Sequence, residues 1–165
     1  MPQRYTNDLT PALLASINEP LFTAAQRAEM NDDACALVDA QEAFRREHPV
    51  TAIYRLAVAG SVTRRGGVAD EFNADPQQGY KIRLDDGQWV SVLTEGCSVT
   101  YPDGSTARIV SSAGSLHMFK DRGVALVGSR LDNGDEIIST PQGSHYLIAQ
   151  AGVPMPEDFL RVTGA

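Results

Sequence analysis

The sequence predicts a mainly β fold of stacked hairpins preceded by an N-terminal helical extension, and three observations carry that prediction. The chain changes character at Pro49, from a helical apolar pattern before it to short runs rich in Val, Ile, Leu and Tyr after it. Gly and Asp-Gly pairs punctuate those runs at fairly even spacing, as tight reversals between strands require. From Val50 onward there is no uninterrupted helical period long enough for a helix of ordinary length. These features divide the chain into an N-terminal helical extension over residues 1–50, a β domain over 51–150 and a C-terminal tail over 151–165.

Within the extension, Asn31-Asp32-Asp33 supplies an N-cap and negative charge for the positive end of a helix dipole, while Arg45, Arg46 and His48 suit the opposite end. Pro49 stops that helix. Ala34, Leu37, Val38 and Phe44 form its narrow apolar stripe, which reads as a core-facing surface; the alternative is a docking face for cargo or an adaptor. Thr23 reads as the N-cap of a short Ala-rich helix ending near Met30, and residues before Pro20 carry no clear pattern.

In the β domain, Tyr80–Leu84 and Trp89–Leu93 alternate about the Asp86-Gly87 turn and predict a hairpin. Ser98–Tyr101 and Ala107–Val110 flank Asp103-Gly104 in the same way, and Val124–Val127, Glu136–Ser139 and Tyr146–Ile148 are further strands. Trp89, Leu93, Ile109, Phe119, Leu126, Ile137 and Leu147 are the expected core. Gly60, Gly67, Gly87, Gly104, Gly128 and Gly134 fall where strands should reverse, and Gly66-Gly67 is expected to supply positive φ rather than a phosphate cradle, since no GxxxxGK[ST] pattern surrounds it. The tail, with Pro154 and Pro156, reads as extended, closing in a short turn that includes Phe159 and Leu160.

The fragments Leu56–Val68, Val99–Val110 and Val124–Thr140 together resemble, in order and spacing, the PAAR-repeat (proline-alanine-alanine-arginine) spike-tip family of type VI secretion systems. The first, from Leu56 to Val68, is similar to the opening repeat, in which an apolar run leads to a Gly-Asp, a Thr, a His and a Gly-Gly. The second, from Val99 to Val110, resembles the middle hairpin, and the third, from Val124 to Thr140, resembles the closing repeat. The resemblance covers about three-fifths of the chain. It implies a small cone-like arrangement of β-hairpins that caps a trimeric valine-glycine-repeat spike of a contractile machine and helps carry effector cargo, without catalysis of its own. The alternative reading of the Leu37, Val38 and Phe44 stripe would place an effector or adaptor partner at the N-terminal helix. Gly60, Ser61, Gly66, Gly67, Gly128, Ser129, Asn133 and Gly134, the motif and turn positions, are the candidate binding residues.

Many members of that family hold a tetrahedral His-and-Cys zinc site at the tip of the cone. Here Arg65 stands where the first fragment would carry His and Asn133 where the last would carry Cys, and neither side chain ligates zinc at neutral pH. No cofactor or structural zinc is therefore expected. Cys97 with His117 or His145 lacks the local signature of a thiol protease, so no catalytic residues are expected. Asp132, Asp135 and Glu136 lack the spacing of a calcium loop. A β-rich effector toxin and a free-standing adaptor or binding domain remain the alternative functions.

Composition narrows the partners. With a formal net charge of −7 and Arg64-Arg65 as the nearest approach to a basic patch, nucleic acid is not an expected partner. No apolar stretch is long enough to cross a membrane, and the first residues lack a signal-peptide pattern. The expectation is a protein that is cytoplasmic before firing and leaves the cell on the spike. Cys35 and Cys97 fit no disulfide framework.

Overall fold

The computed structural model describes residues 4–75 and 77–162 of the chain. It is mainly β, with several small antiparallel sheets and a short helical N-terminal region. Two compact units are distinguished: the helical one comprises residues 8–53 and 148–154, and the β one comprises the described residues of 1–7, 54–147 and 155–165.

The helical unit holds α1 (Pro11–Ile17), α2 (Ala24–Ala28) and α3 (Asp32–Glu47). Each starts on a side-chain cap. Thr10 accepts from the Leu13 N–H, Thr23 and Gln26 form a reciprocal capping box, and Asn31 accepts from the Ala34 N–H at 2.8 Å. Helix α1 falls in the stretch without a clear pattern; its signal is Thr10 followed by Pro11 at the first helical position. The apolar stripe predicted for α3 does not face a core, because Leu37 is 62% and Phe44 45% exposed, and only Val38 is buried. Leu37 and Phe44 are seven residues apart and share an outward face. Cys35, Val38, Glu42 and Arg45 occupy the other face, held by polar contacts. Cys35 donates to the Arg27 carbonyl, Arg27 pairs with Asp39 and Glu42, and Arg45 donates to the Ile17 and Glu19 carbonyls.

The strands are β1 (Val50–Arg55), β2 (Val62–Thr63), β3 (Val68–Ala69), β4 (Lys81–Arg83), β5 (Trp89–Ser91), β6 (Ser98–Thr100), β7 (Thr106–Arg108), β8 (Met118–Phe119), β9 (Arg122–Gly123), β10 (Ile137–Ser139) and β11 (Tyr146–Gln150). The predicted hairpin about Asp86-Gly87 is β4–β5, with Ile82 opposite Val90. Val124–Val127 contributes isolated bridges rather than a regular strand, and β8–β9 is a hairpin that its short, polar-tipped sequence did not announce.

These short pieces assemble with internal threefold pseudosymmetry. Segments 56–58, 92–94 and 124–126 meet in a closed triangle of antiparallel bridges: Leu56 with Leu126, Val58 with Val92, and Thr94 with Val124. At its centre the Ala57 N–H donates to Ala125 O (2.9 Å), Ala125 N–H to Leu93 O (2.8 Å) and Leu93 N–H to Ala57 O (2.9 Å), a cyclic set in which every donor and acceptor is satisfied by an equivalent neighbour. One layer further on, the N–H groups of Ala59, Glu95 and Val127 donate to the carbonyls of Ser91, Gly123 and Arg55.

Each segment then enters a hairpin. β2–β3 is the first, β6–β7 the second, and residues 130–132 with β10 the third. The hairpins pair edge to edge in the order β10-β2-β3-β6-β7, and the circle closes where Ile109 bridges Leu131, the Val110 N–H donates to Arg130 O and the Asp132 N–H to Arg108 O. Closure leaves the hairpins no unpaired lateral edge.

The core follows the same symmetry. Ala57, Leu93 and Ala125, all fully buried, occupy equivalent positions, as do Ala69, Ile109 and Ile137. A second cluster gathers Leu56, Val58, Ile82, Val90, Val92, Val124 and Leu126. Of the expected core residues, Leu93, Ile109, Leu126 and Ile137 are buried, whereas Phe119 and Leu147 are only partly so. Trp89 is 46% exposed: it precedes the buried Val90 on β5, and strand alternation sends it to the outer face. In the tail, Phe159 packs edge-on against Tyr54 with ring centroids 4.9 Å apart, and Leu160 takes a positive φ of 54°.

Candidate functional site

The three hairpin turns converge at one end of the ring and form an apex. All three are built alike. The N–H groups of Thr63, Tyr101 and Leu131 donate to the carbonyls of Gly67, Ser105 and Asp135, and those of Gly66, Gly104 and Gly134 donate back to Thr63, Tyr101 and Leu131. This is the three-residue loop whose last position needs φ > 0, and Gly66, Gly104 and Gly134 sit there at 88°, 87° and 86°. The positive φ expected of the Gly66-Gly67 pair thus belongs to Gly66. Gly67, expected to act as the reversal, is there for space instead: a Cβ on it would lie 2.5 Å from Val99 Cγ1 and 2.9 Å from Tyr101 Cε1.

The middle hairpin is longer than its counterparts, since Gly104 follows Gly96 by eight positions while Gly66 follows Gly60, and Gly134 follows Gly128, by six. Its extra length carries Tyr101 over the apex. The Tyr101 hydroxyl donates to Asp135 Oδ2 at 2.5 Å and accepts from Asn133 Nδ2 at 3.0 Å. Asp135, 2% exposed, also accepts from the backbone N–H groups of Arg65 (3.2 Å) and Glu136 (2.8 Å) through Oδ1. Thr63 accepts from the Gly67 N–H at 2.9 Å, and the Arg65 guanidinium donates to the Asn133 carbonyl at 3.0 Å. Burial raises the Asp135 pKa, but the neighbouring Thr63 and Tyr101 hydroxyls and the two backbone N–H groups outweigh it and hold the carboxyl below its ordinary value. Burial and the adjacent carboxylate push the Tyr101 phenol up.

Of the candidate binding residues, Gly66, Asn133 and Gly134 lie in the apex turns, and Gly67 packs beneath Tyr101. Gly60-Ser61 and Gly128-Ser129 form equivalent turns at the other end of their hairpins, with φ of 94° and 106° at the glycines. Ser61 and Ser129 are fully buried, and their hydroxyls accept from the Val58 and Leu126 N–H groups at 3.2 and 2.9 Å. Their side chains are spent inside the ring.

Gly96-Cys97 is the third member of this set, and the sequence reading missed it. The Cys97 thiol accepts from the Thr94 N–H at 3.5 Å, as the serines do from theirs. The signal was present: Gly60-Ser61, Gly96-Cys97 and Gly128-Ser129 each carry a small polar side chain after glycine, and each is followed by a second turn glycine.

The other reactive side chains are dispersed. His117 Nε2 is 3.1 Å from the Tyr80 hydroxyl, and His145 Nδ1 is 2.8 Å from the Ser144 hydroxyl. Asp132 accepts from the Arg108 N–H, while Glu136 pairs with Arg64 and Arg130. Among the described residues no group of three or more His, Cys, Asp and Glu side chains is placed to hold a metal ion, and no helix is long and apolar enough to cross a membrane. No family model, curated protein or solved structure matches the chain.

Proposed function

We propose that this chain is a spike-tip protein of the PAAR-repeat kind, a non-enzymatic cap on a trimeric valine-glycine-repeat spike of a type VI secretion system. The observation that carries the reading is the cyclic hydrogen-bond set of Ala57, Leu93 and Ala125. Through it a single asymmetric chain presents three equivalent backbone faces, which is what one copy needs in order to sit on the axis of a threefold partner. The convergence of Arg65 and Asn133 supports the same reading, because these are the two positions that the resemblance assigns to ligands at the cone's tip. The outward Leu37 and Phe44 of α3, together with exposed Leu21 and Phe22, favour cargo or adaptor binding by the helical unit.

Co-purification with a trimeric valine-glycine-repeat protein, followed by light scattering, tests the proposal. One copy per trimer is the expected result. Failure of the folded chain to bind an intact trimer overturns it in favour of a free-standing adaptor, and toxicity on expression alone would favour the effector toxin.

A further inference from the structure

We propose that the apex is closed by an organic latch, in which Tyr101 of the long middle hairpin and the Arg65 backbone N–H of the first hairpin clamp the buried Asp135 of the third, so that its integrity depends on proton activity and not on a bound metal. The latch goes beyond the spike-tip reading and stands on the apex geometry alone.

The donor set decides the chemistry. One carboxylate is buried at the apex, and both of its oxygens are already used: Oδ2 by the Tyr101 hydroxyl, Oδ1 by the Arg65 and Glu136 N–H groups. The remaining side chains are a threonine, an asparagine, a phenol and a guanidinium, which do not fit a tetrahedral zinc site. What the residues do build is a continuous relay. Asn133 donates to the Tyr101 hydroxyl, which donates to Asp135, and Asp135 accepts in turn from the Arg65 N–H of the first hairpin. All three hairpins are thereby joined through one ionised group, a stronger class of hydrogen bond than neutral pairs provide.

The long hairpin's two additional residues per strand are what bring Tyr101 across Gly67, and Gly67 alone has no side chain to obstruct the ring. The charged groups around the latch are the Arg65 guanidinium on the Asn133 carbonyl, the Arg64–Glu136 ion pair at 3.2 Å, and Asp103 on the neighbouring turn, where Ser105 holds it. The sign of the pH dependence follows. Asp135 is lowered in the folded state, so its contribution is present above the unfolded aspartate range and is lost as pH falls through the folded value. Tyr101 is raised, so its contribution is present below the ordinary phenol range and is lost as pH rises through the folded value.

The test uses the full chain as wild type, Asp135→Asn and Tyr101→Phe. Thermal melting is followed from pH 7 downward, with and without a strong chelator or added zinc, and amide hydrogen exchange is read at Arg65 and Glu136. Chelator and zinc are expected to leave the wild-type Tm unchanged. Asp135→Asn is expected to lower Tm at pH 7 and remove part of the acid-induced fall, and Tyr101→Phe to lower Tm by on the order of 5 °C. Both variants should speed exchange at Arg65 and Glu136 more than at Ala57 and Ala125, which a uniform loss of stability would not do. A Tm lowered by chelation overturns the proposal, as does an Asp135→Asn variant that melts and exchanges like wild type. If Asp135→Asn does not fold, Tyr101→Phe decides: unchanged melting and apex exchange in that variant overturn it.

Discussion

The axis of the ring offers a quantitative test of the pseudosymmetry. Its three equivalent positions hold two alanines and one leucine, all with no exposed surface. Leu93→Ala removes the only large side chain of the three and leaves a cavity that the cyclic hydrogen bonds keep from collapsing, so a loss of about 2–5 kcal/mol is expected. Ala57→Leu alone adds a second large side chain to a filled space and should cost about 1–3 kcal/mol. If the three positions are interchangeable, the double variant Leu93→Ala, Ala57→Leu moves the leucine one step around the axis at constant volume. It should then fall within about 1.5 kcal/mol of wild type. Urea unfolding with unchanged m-values is the assay. A double variant whose loss equals the sum of the single losses refutes the idea that Ala57 and Leu93 share one space.

Three further outcomes are expected. Gly134→Val should cost about 1–3 kcal/mol for backbone reasons, because φ is 86° and the nearest atom to a new Cβ is Arg65 Nη2 at 3.7 Å, whereas Gly67→Ala should destabilise by collision with Val99 and Tyr101; thermal melting of both variants checks this. Asn31→Ala should cost about 1 kcal/mol by removing the 2.8 Å bond to the Ala34 N–H, read as faster amide exchange in the first turn of α3. Leu37→Ser with Phe44→Ser should change stability by no more than about 0.5 kcal/mol each in chemical unfolding, since both side chains are exposed, while abolishing binding of any adaptor that uses this face.

How far the sequence foretold this architecture depends on the range of the interactions involved. Caps, turns and hairpins are local. Asn31, Thr23, Asp86-Gly87 and Asp103-Gly104 identified their elements because the hydrogen bonds they make lie within a few residues. The triangle of segments 56–58, 92–94 and 124–126 is not local: each contributes only isolated bridges, too short to show a strand period, and their partners lie far away in the chain. Trp89 and Leu37 misled for a related reason. Hydrophobicity alone does not say which face of a strand or helix is covered, and here neighbouring Val90 and Val38 took the inward positions. At the apex, Arg65 and Asn133 were singled out by the sequence, but Tyr101 was not. Its role depends on hairpin length, which becomes visible only when Gly96-Cys97 is aligned with the two Gly-Ser pairs.

The ring's equal backbone layers and unequal side chains have one more consequence. To a receptor of true threefold symmetry that touched only the repeated backbone, the chain would offer three rotational settings of equal energy. Such degeneracy favours association by RT ln 3, about 0.6 kcal/mol, and leaves the azimuth of the longer middle hairpin random from one complex to the next. A threefold receptor keeps all three settings even where it feels an unequal feature, such as the longer middle hairpin, because its own symmetry relates them; only a receptor that is itself unequal would fix one heading. The distribution of headings in images of single complexes would thus report whether the receptor itself departs from threefold symmetry.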